Sequence, residues 1–121
     1  MSQDQDLLRF VTSSFPSIWA LELLLVLKRD LRRWSRDELV GTLRASDLVV
    51  SNALDSLVAA GLASIDDRGV QYMPASDSIA ALVDDTEAMY AARPDAVRRA
   101  IVRGMASGAS AFSDAFRLWR R

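Results

Sequence analysis

The sequence predicts a mainly helical chain: three helices packed together, a two-stranded ribbon after them, and further helices at both ends. Three observations predict it. Val50, Ala53, Leu54 and Leu57 recur at the i, i+3, i+4, i+7 spacing that lines one face of a helix, and Gly61 follows as a stop. Beyond Gly61 the apolar period changes to that of a ribbon, through Leu62, Ile65, Val70 and Tyr72. Upstream, the run from Ile18 to Leu27 is apolar on almost every side, as a central helix must be.

The 121 residues, half apolar and 26% charged, suffice for one compact domain with a core. We divide them into an N-terminal helix over 1–14, the helical core with its ribbon over 15–75, and C-terminal helices over 76–121. The balance of 15 basic against 16 acidic residues gives no overall attraction to a polyanion, so any such attraction must be local. Cysteine and histidine are both absent. That removes thiol nucleophiles, imidazole bases and most metal centres, so neither an enzyme, a cofactor nor a metal is expected. The opening MSQDQDLLRF is acidic and polar rather than basic and then apolar, so no secretory signal is read and a cytoplasmic location is expected. The longest apolar run is about half a bilayer span and carries Glu22, so no membrane segment is expected.

The elements follow in order. Leu7, Leu8, Phe10 and Val11 make a short helix that stops near Ser13 and Ser14, ahead of Phe15-Pro16, and that docks on the core or on a partner subunit. Pro16 or Ser17 opens the central helix, which ends in the charged stretch KRDLRRWSR. Ser35 with Glu38 three residues later is a capping-box pattern, opening a helix to about Arg44 with Leu39, Val40 and Leu43 inward. Ser46 caps the next helix. Asp66-Asp67-Arg68-Gly69 is the loop of the ribbon, and Pro74 ends its second strand. Ser76 or Asp77 caps a helix through Ile79, Leu82, Val83, Thr86, Met89 and Tyr90, which Arg93-Pro94 breaks, and a last helix runs from there toward Trp119.

The segment VSNALDSLVAAGLASIDDRGVQY, within the order helix, turn, helix, strand, wing, strand, resembles the winged helix-turn-helix domain of MarR-like and PadR-like transcriptional regulators. The resemblance covers about half the chain, from Ile18 to Pro74. It implies a DNA-binding regulator whose helix after Ser46 lies in the major groove of duplex DNA while the wing reaches the adjacent backbone. Ser51, Asn52 and Ser56 then stand near base edges, with Arg68 at the wing tip. The sequence departs from the family in that this helix carries Asp47 and Asp55 and no cation. Phosphate contacts would have to come from the neighbouring cluster of Lys28, Arg29, Arg32, Arg33 and Arg36, with Arg44 at the other end of the preceding helix. Asn52 is suited to a two-point hydrogen bond with adenine.

The C-terminal helix aligns Val97, Ile101, Met105, Gly108, Phe112, Phe116 and Trp119 along one side. Ile101, Met105, Gly108, Phe112, Phe116 and Trp119 are expected at a homodimer interface, because one small domain leaves that apolar surface uncovered. Between Ser76 and Ala92 there are four acidic and no basic residues, whereas from Arg93 onward there are seven arginines against two aspartates, so these segments suit pairing within or between chains. Asp66-Asp67 and Asp84-Asp85 read as a turn and a solvated helix face rather than as catalytic pairs. Two rival functions are a protein-docking module on the same scaffold, using Leu48 and Val49, and a small-molecule sensor with Trp19, Trp34, Met89 and Tyr90 around a cavity.

Overall fold

A computed structural model of the chain describes residues 3–104. The expected interface residues Met105, Gly108, Phe112, Phe116 and Trp119 lie outside the described residues. The described part is mainly helical with a small antiparallel sheet: α1 (Gln3–Ser14), α2 (Ile18–Arg29), α3 (Arg36–Leu43), α4 (Asp47–Ala59), β1 (Ala63–Asp66), β2 (Gly69–Tyr72) and α5 (Asp77–Ala92). A further helix, α6, occupies 94–104.

Serine hydroxyls open four of these helices by the same device. Ser17, Ser35, Ser46 and Ser76 each accept the backbone N–H three residues on, satisfying one of the amides that a helix start leaves unpaired. At Ser35 the reciprocal half of the capping box is also present, because Glu38 Oε1 accepts the Ser35 N–H at 2.8 Å.

α2 is the centre of the core. Ala20, Leu21, Leu23, Leu24, Leu25 and Leu27 are all buried, and its main neighbours are α4 and β2. The α4 stripe of Val50, Ala53, Leu54 and Leu57 is buried as its spacing demands, and Gly61 closes the helix at φ +75°. α1 docks on its own chain: Leu7 and Val11, with Phe15 just after the helix, join the core, and α5 is its neighbour. Ile101, expected at a dimer interface, is 1% exposed within the chain, so it is a core residue of its own protomer. No single described helix is long and apolar enough to cross a membrane.

The ribbon is tighter than the sequence suggested. Asp66 pairs with Gly69 as the last rung, leaving only Asp67 and Arg68 in the turn rather than four residues. Asp66 Oδ1 accepts the Arg68 N–H at 2.8 Å, an aspartate-stabilised turn that the residue types allowed. A further strand-like contact lies on the other edge of β2. Trp34 and Val70 form an antiparallel bridge, so the stretch KRDLRRWSR does not simply wander between helices. Trp34 is 7% exposed, and its indole N–H donates to the Asp30 carbonyl at 3.1 Å. β2 therefore lies between Trp34 and β1, and the ribbon is tied to the start of α3.

Candidate nucleic-acid interface

α3 and α4 pack on each other and are joined through Arg44, Ala45 and Ser46. With the apolar stripe of α4 turned inward, Asp47, Leu48, Asn52 and Asp55 are exposed, while Val49, Ser51 and Ser56 are half-buried. Leu48 is 69% exposed. The three expected base-edge residues thus share the accessible side of α4, although their polar groups differ in availability.

Arg36, the first residue of α3, donates from Nη1 to Ser51 Oγ at 2.9 Å. A guanidinium rooted on α3 is thereby held against the outer side of a helix that has no cation of its own. Ser51 keeps its own O–H for a further acceptor. Asn52 makes no side-chain hydrogen bond among the described residues, so both ends of its amide are open. Ser56 is committed differently: its hydroxyl donates to the Asn52 carbonyl at 3.1 Å, leaving only its lone pairs to an incoming group.

The expected backbone-contacting arginines divide into two sets. Arg32 donates from Nε to Asp30 at 2.9 Å and from Nη1 to Glu38 Oε2 at 3.2 Å, with its guanidinium 3.7 Å from the centroid of the Trp34 ring. Arg33 Nη1 lies 2.5 Å from both Asp66 oxygens. The Arg33 guanidinium, followed by the Arg68 N–H, holds the Asp66 carboxyl below its usual range. Glu38 is lowered mainly by the Ser35 N–H and then by Arg32. Further along the cluster, Lys28 reaches Glu87 at 2.6 Å and Asp84 at 3.1 Å, and Arg29 reaches Glu87 at 3.0 Å. These cations hold the fold's own carboxylates and are not open to a ligand without exchange.

Arg36, Arg44 and Arg68 form the second set, with no ion pair among the described residues. They stand at the start of α3, at its end, and in the ribbon turn. The exposed carboxylates of Asp37, Asp47, Asp55 and Asp67 are likewise unpaired and share these elements. Three guanidiniums against four carboxylates make no strong positive field, so any affinity for a polyanion must come from the placement of individual arginines.

The aromatic and methionine side chains do not converge on one cavity. Trp19 and Tyr90 border an open groove with Glu22 and Arg98, Met89 borders a different groove, and Trp34 is packed against the ribbon. Tyr90 donates to Glu22, and burial followed by that contact pushes the phenol up. Among the described residues no group of acidic side chains is arranged to hold a metal ion. No protein-family model matches the chain, and neither a curated protein nor a solved structure gives a match.

Proposed function

We propose that the chain is a winged helix-turn-helix protein that binds duplex DNA as a homodimer and regulates transcription, with α4 in the major groove and the β1–β2 ribbon as the wing. The observation that carries this reading is the Arg36–Ser51 hydrogen bond, which supplies α4 with the cation its sequence lacks. Ser51 and Asn52 face base edges, with Ser56 as an acceptor beside them, and Arg36, held against Ser51, meets the phosphate next to them. Arg44 and Arg68 meet phosphates on either side. Arg32 and Arg33 contribute only by exchanging a carboxylate for a phosphate, a step made feasible because exposed, solvent-screened ion pairs contribute little to stability. Two copies related by a two-fold axis place their α4 helices on successive half-sites.

Three free cations per protomer set a modest salt dependence, about −2.7 per protomer in the slope of log affinity against log salt, from roughly 0.9 per neutralised phosphate. Fluorescence anisotropy on a random duplex across a salt series tests this. Wild type should show such a slope, and Arg36→Ala should reduce it by about 0.9 per protomer. Absence of binding at low salt, or an Arg36→Ala slope equal to that of wild type, would overturn the proposal.

A second reading is favoured by Leu48, 69% exposed at the start of α4, together with the engagement of Arg32 and Arg33 by carboxylates. On that reading the same face docks a protein. A wild-type chain indifferent to DNA at every salt concentration would select it.

A further inference from the structure

We infer that the groove between α1 and α5 receives the C-terminal segment 112–121 of a second copy of this chain. The inference rests on the dimeric half of the reading above and not on DNA. The open groove, about 580 Å³ in volume, has Leu82 and the edges of Leu7 and Met89 as its apolar lining, and carries Asp4, Asp6 and Asp85, with Arg93, around them. Asp4 is taken by Arg93 at 2.9 Å, whereas Asp6 and Asp85 have no ion pair among the described residues. An apolar lining between unpaired carboxylates fits an apolar segment that carries basic charge.

The sequence of this chain contains such a segment. Residues 112–121 read FSDAFRLWRR, with Phe112, Phe116 and Trp119 for the lining and Arg117, Arg120 and Arg121 against one aspartate. The course of α6 points to a second copy. Arg93, just before it, pairs with Asp4 near the start of α1, and Gly104, at 104, sits against Thr12 near the end of α1. α6 thus runs alongside α1 in the same direction, away from the Asp4 and Asp6 end. The chain's own groove lies behind the point where 105 begins. That groove is reached only if the chain reverses after 104, whereas a neighbour's groove ahead needs no reversal. The seventeen residues from 105 to 121, at most about 56–61 Å long, reach either, so the direction of α6 is what favours the neighbour. A two-fold axis then gives two identical docked segments.

The lack of native cysteine allows a direct test in the full-length chain. Wild type is first examined by analytical ultracentrifugation. Ala88→Cys, in the groove, and Ala115→Cys, in the segment, are then purified separately, mixed and oxidised. The expected result is a dimeric wild type and a mixed covalent dimer. Thr42→Cys, exposed on α3, should give none with Ala115→Cys. Separately, Asp6→Lys with Asp85→Lys should weaken the dimer about tenfold or more. Adding Arg117→Glu and Arg120→Glu should recover part of the loss. A wild type that stays monomeric overturns both the dimer and the groove assignment. A dimeric wild type overturns the groove assignment alone if the 88 and 115 positions do not link or link no better than the control. A disulfide formed within one chain carrying both cysteines, in preference to the intermolecular one, does the same.

Discussion

Trp34 and Val70 exchange both of their backbone hydrogen bonds, at 2.8 Å in each direction, and so fasten the ribbon to the residue just before the α3 cap. Gly69 makes this approach possible. Its φ is +129°, and a Cβ there would stand 2.5 Å from the Trp34 carbonyl oxygen. Because that atom is backbone, it cannot rotate aside. Gly69→Ala should therefore destabilise the chain by about 1–3 kcal/mol, from the unfavourable backbone conformation and the broken bridge together. Chemical denaturation checks the loss. Trp34 fluorescence should also move toward that of an exposed indole, and an unchanged spectrum with unchanged stability would contradict the bridge.

Ser51 and Asn52 are neighbours on α4 with different expected roles. Ser51→Ala keeps the Arg36 charge and frees its position, so the salt slope should be retained while affinity for the preferred sequence falls. Stability should change by no more than about 0.5 kcal/mol, since the site is on the surface. Asn52→Ala should remove about 1–3 kcal/mol of discrimination between matched and mismatched duplexes with little effect on random duplex. Equal losses on all sequences would remove Asn52 from base contact.

The helices were legible because local rules specify them: Ser35 with Glu38 announces a capping box, and the α4 stripe with Gly61 fixes both the inward face and the end. The Trp34 bridge was not legible, because a single-residue strand has no period to detect and its partner lies far along the chain. The partners of the cationic cluster were hidden for the same reason. Arg33 meets Asp66 and Lys28 meets Glu87 only after α2, the ribbon and α5 have packed. Sequence showed a run of positive charge, and folding consumed most of it in pairing. Arg36 escaped that outcome by lying opposite Ser51 rather than a carboxylate.

The Lys28–Glu87 contact, 2.6 Å long and partly shielded, gives stability a pH dependence of definite sign. The Lys28 ammonium first, with Arg29 after it, holds the Glu87 carboxyl below its ordinary range despite opposing desolvation. A depressed carboxylate contributes fully above its unfolded value and loses that contribution as pH falls through the folded one. Lys28 is raised, chiefly by Glu87, so its part persists below its ordinary value and is lost as pH climbs through the raised one. Glu87→Gln should thus be less stable than wild type at neutral pH by about 1 kcal/mol, and the two denaturation midpoints should converge in acid below the ordinary carboxylate range. A gap that persists unchanged into strong acid would show that ionisation of Glu87 is not its source.

Arg44 closes α3 in the left-handed conformation, φ 54° and ψ 44°, the only non-glycine residue with positive φ among those described. Helices usually place glycine at such a position, because a Cβ there costs about 1–2 kcal/mol. An arginine kept at that cost suggests a role for its side chain, and its guanidinium has no ion pair among the described residues. Arg44→Gly separates the two effects. Relief of strain outweighs the extra freedom that glycine gives the unfolded chain, so stability should rise by about 0.5 kcal/mol. The salt slope of DNA binding should fall by about 0.9 per protomer at the same time. Arg44→Asn, which tolerates the left-handed region better than arginine, should lower the slope equally with a smaller gain in stability. Higher stability with an unchanged slope would take Arg44 off the phosphates and leave its strain without a functional cause, whereas lower stability would mean that the arginine stem stabilises α3 by packing.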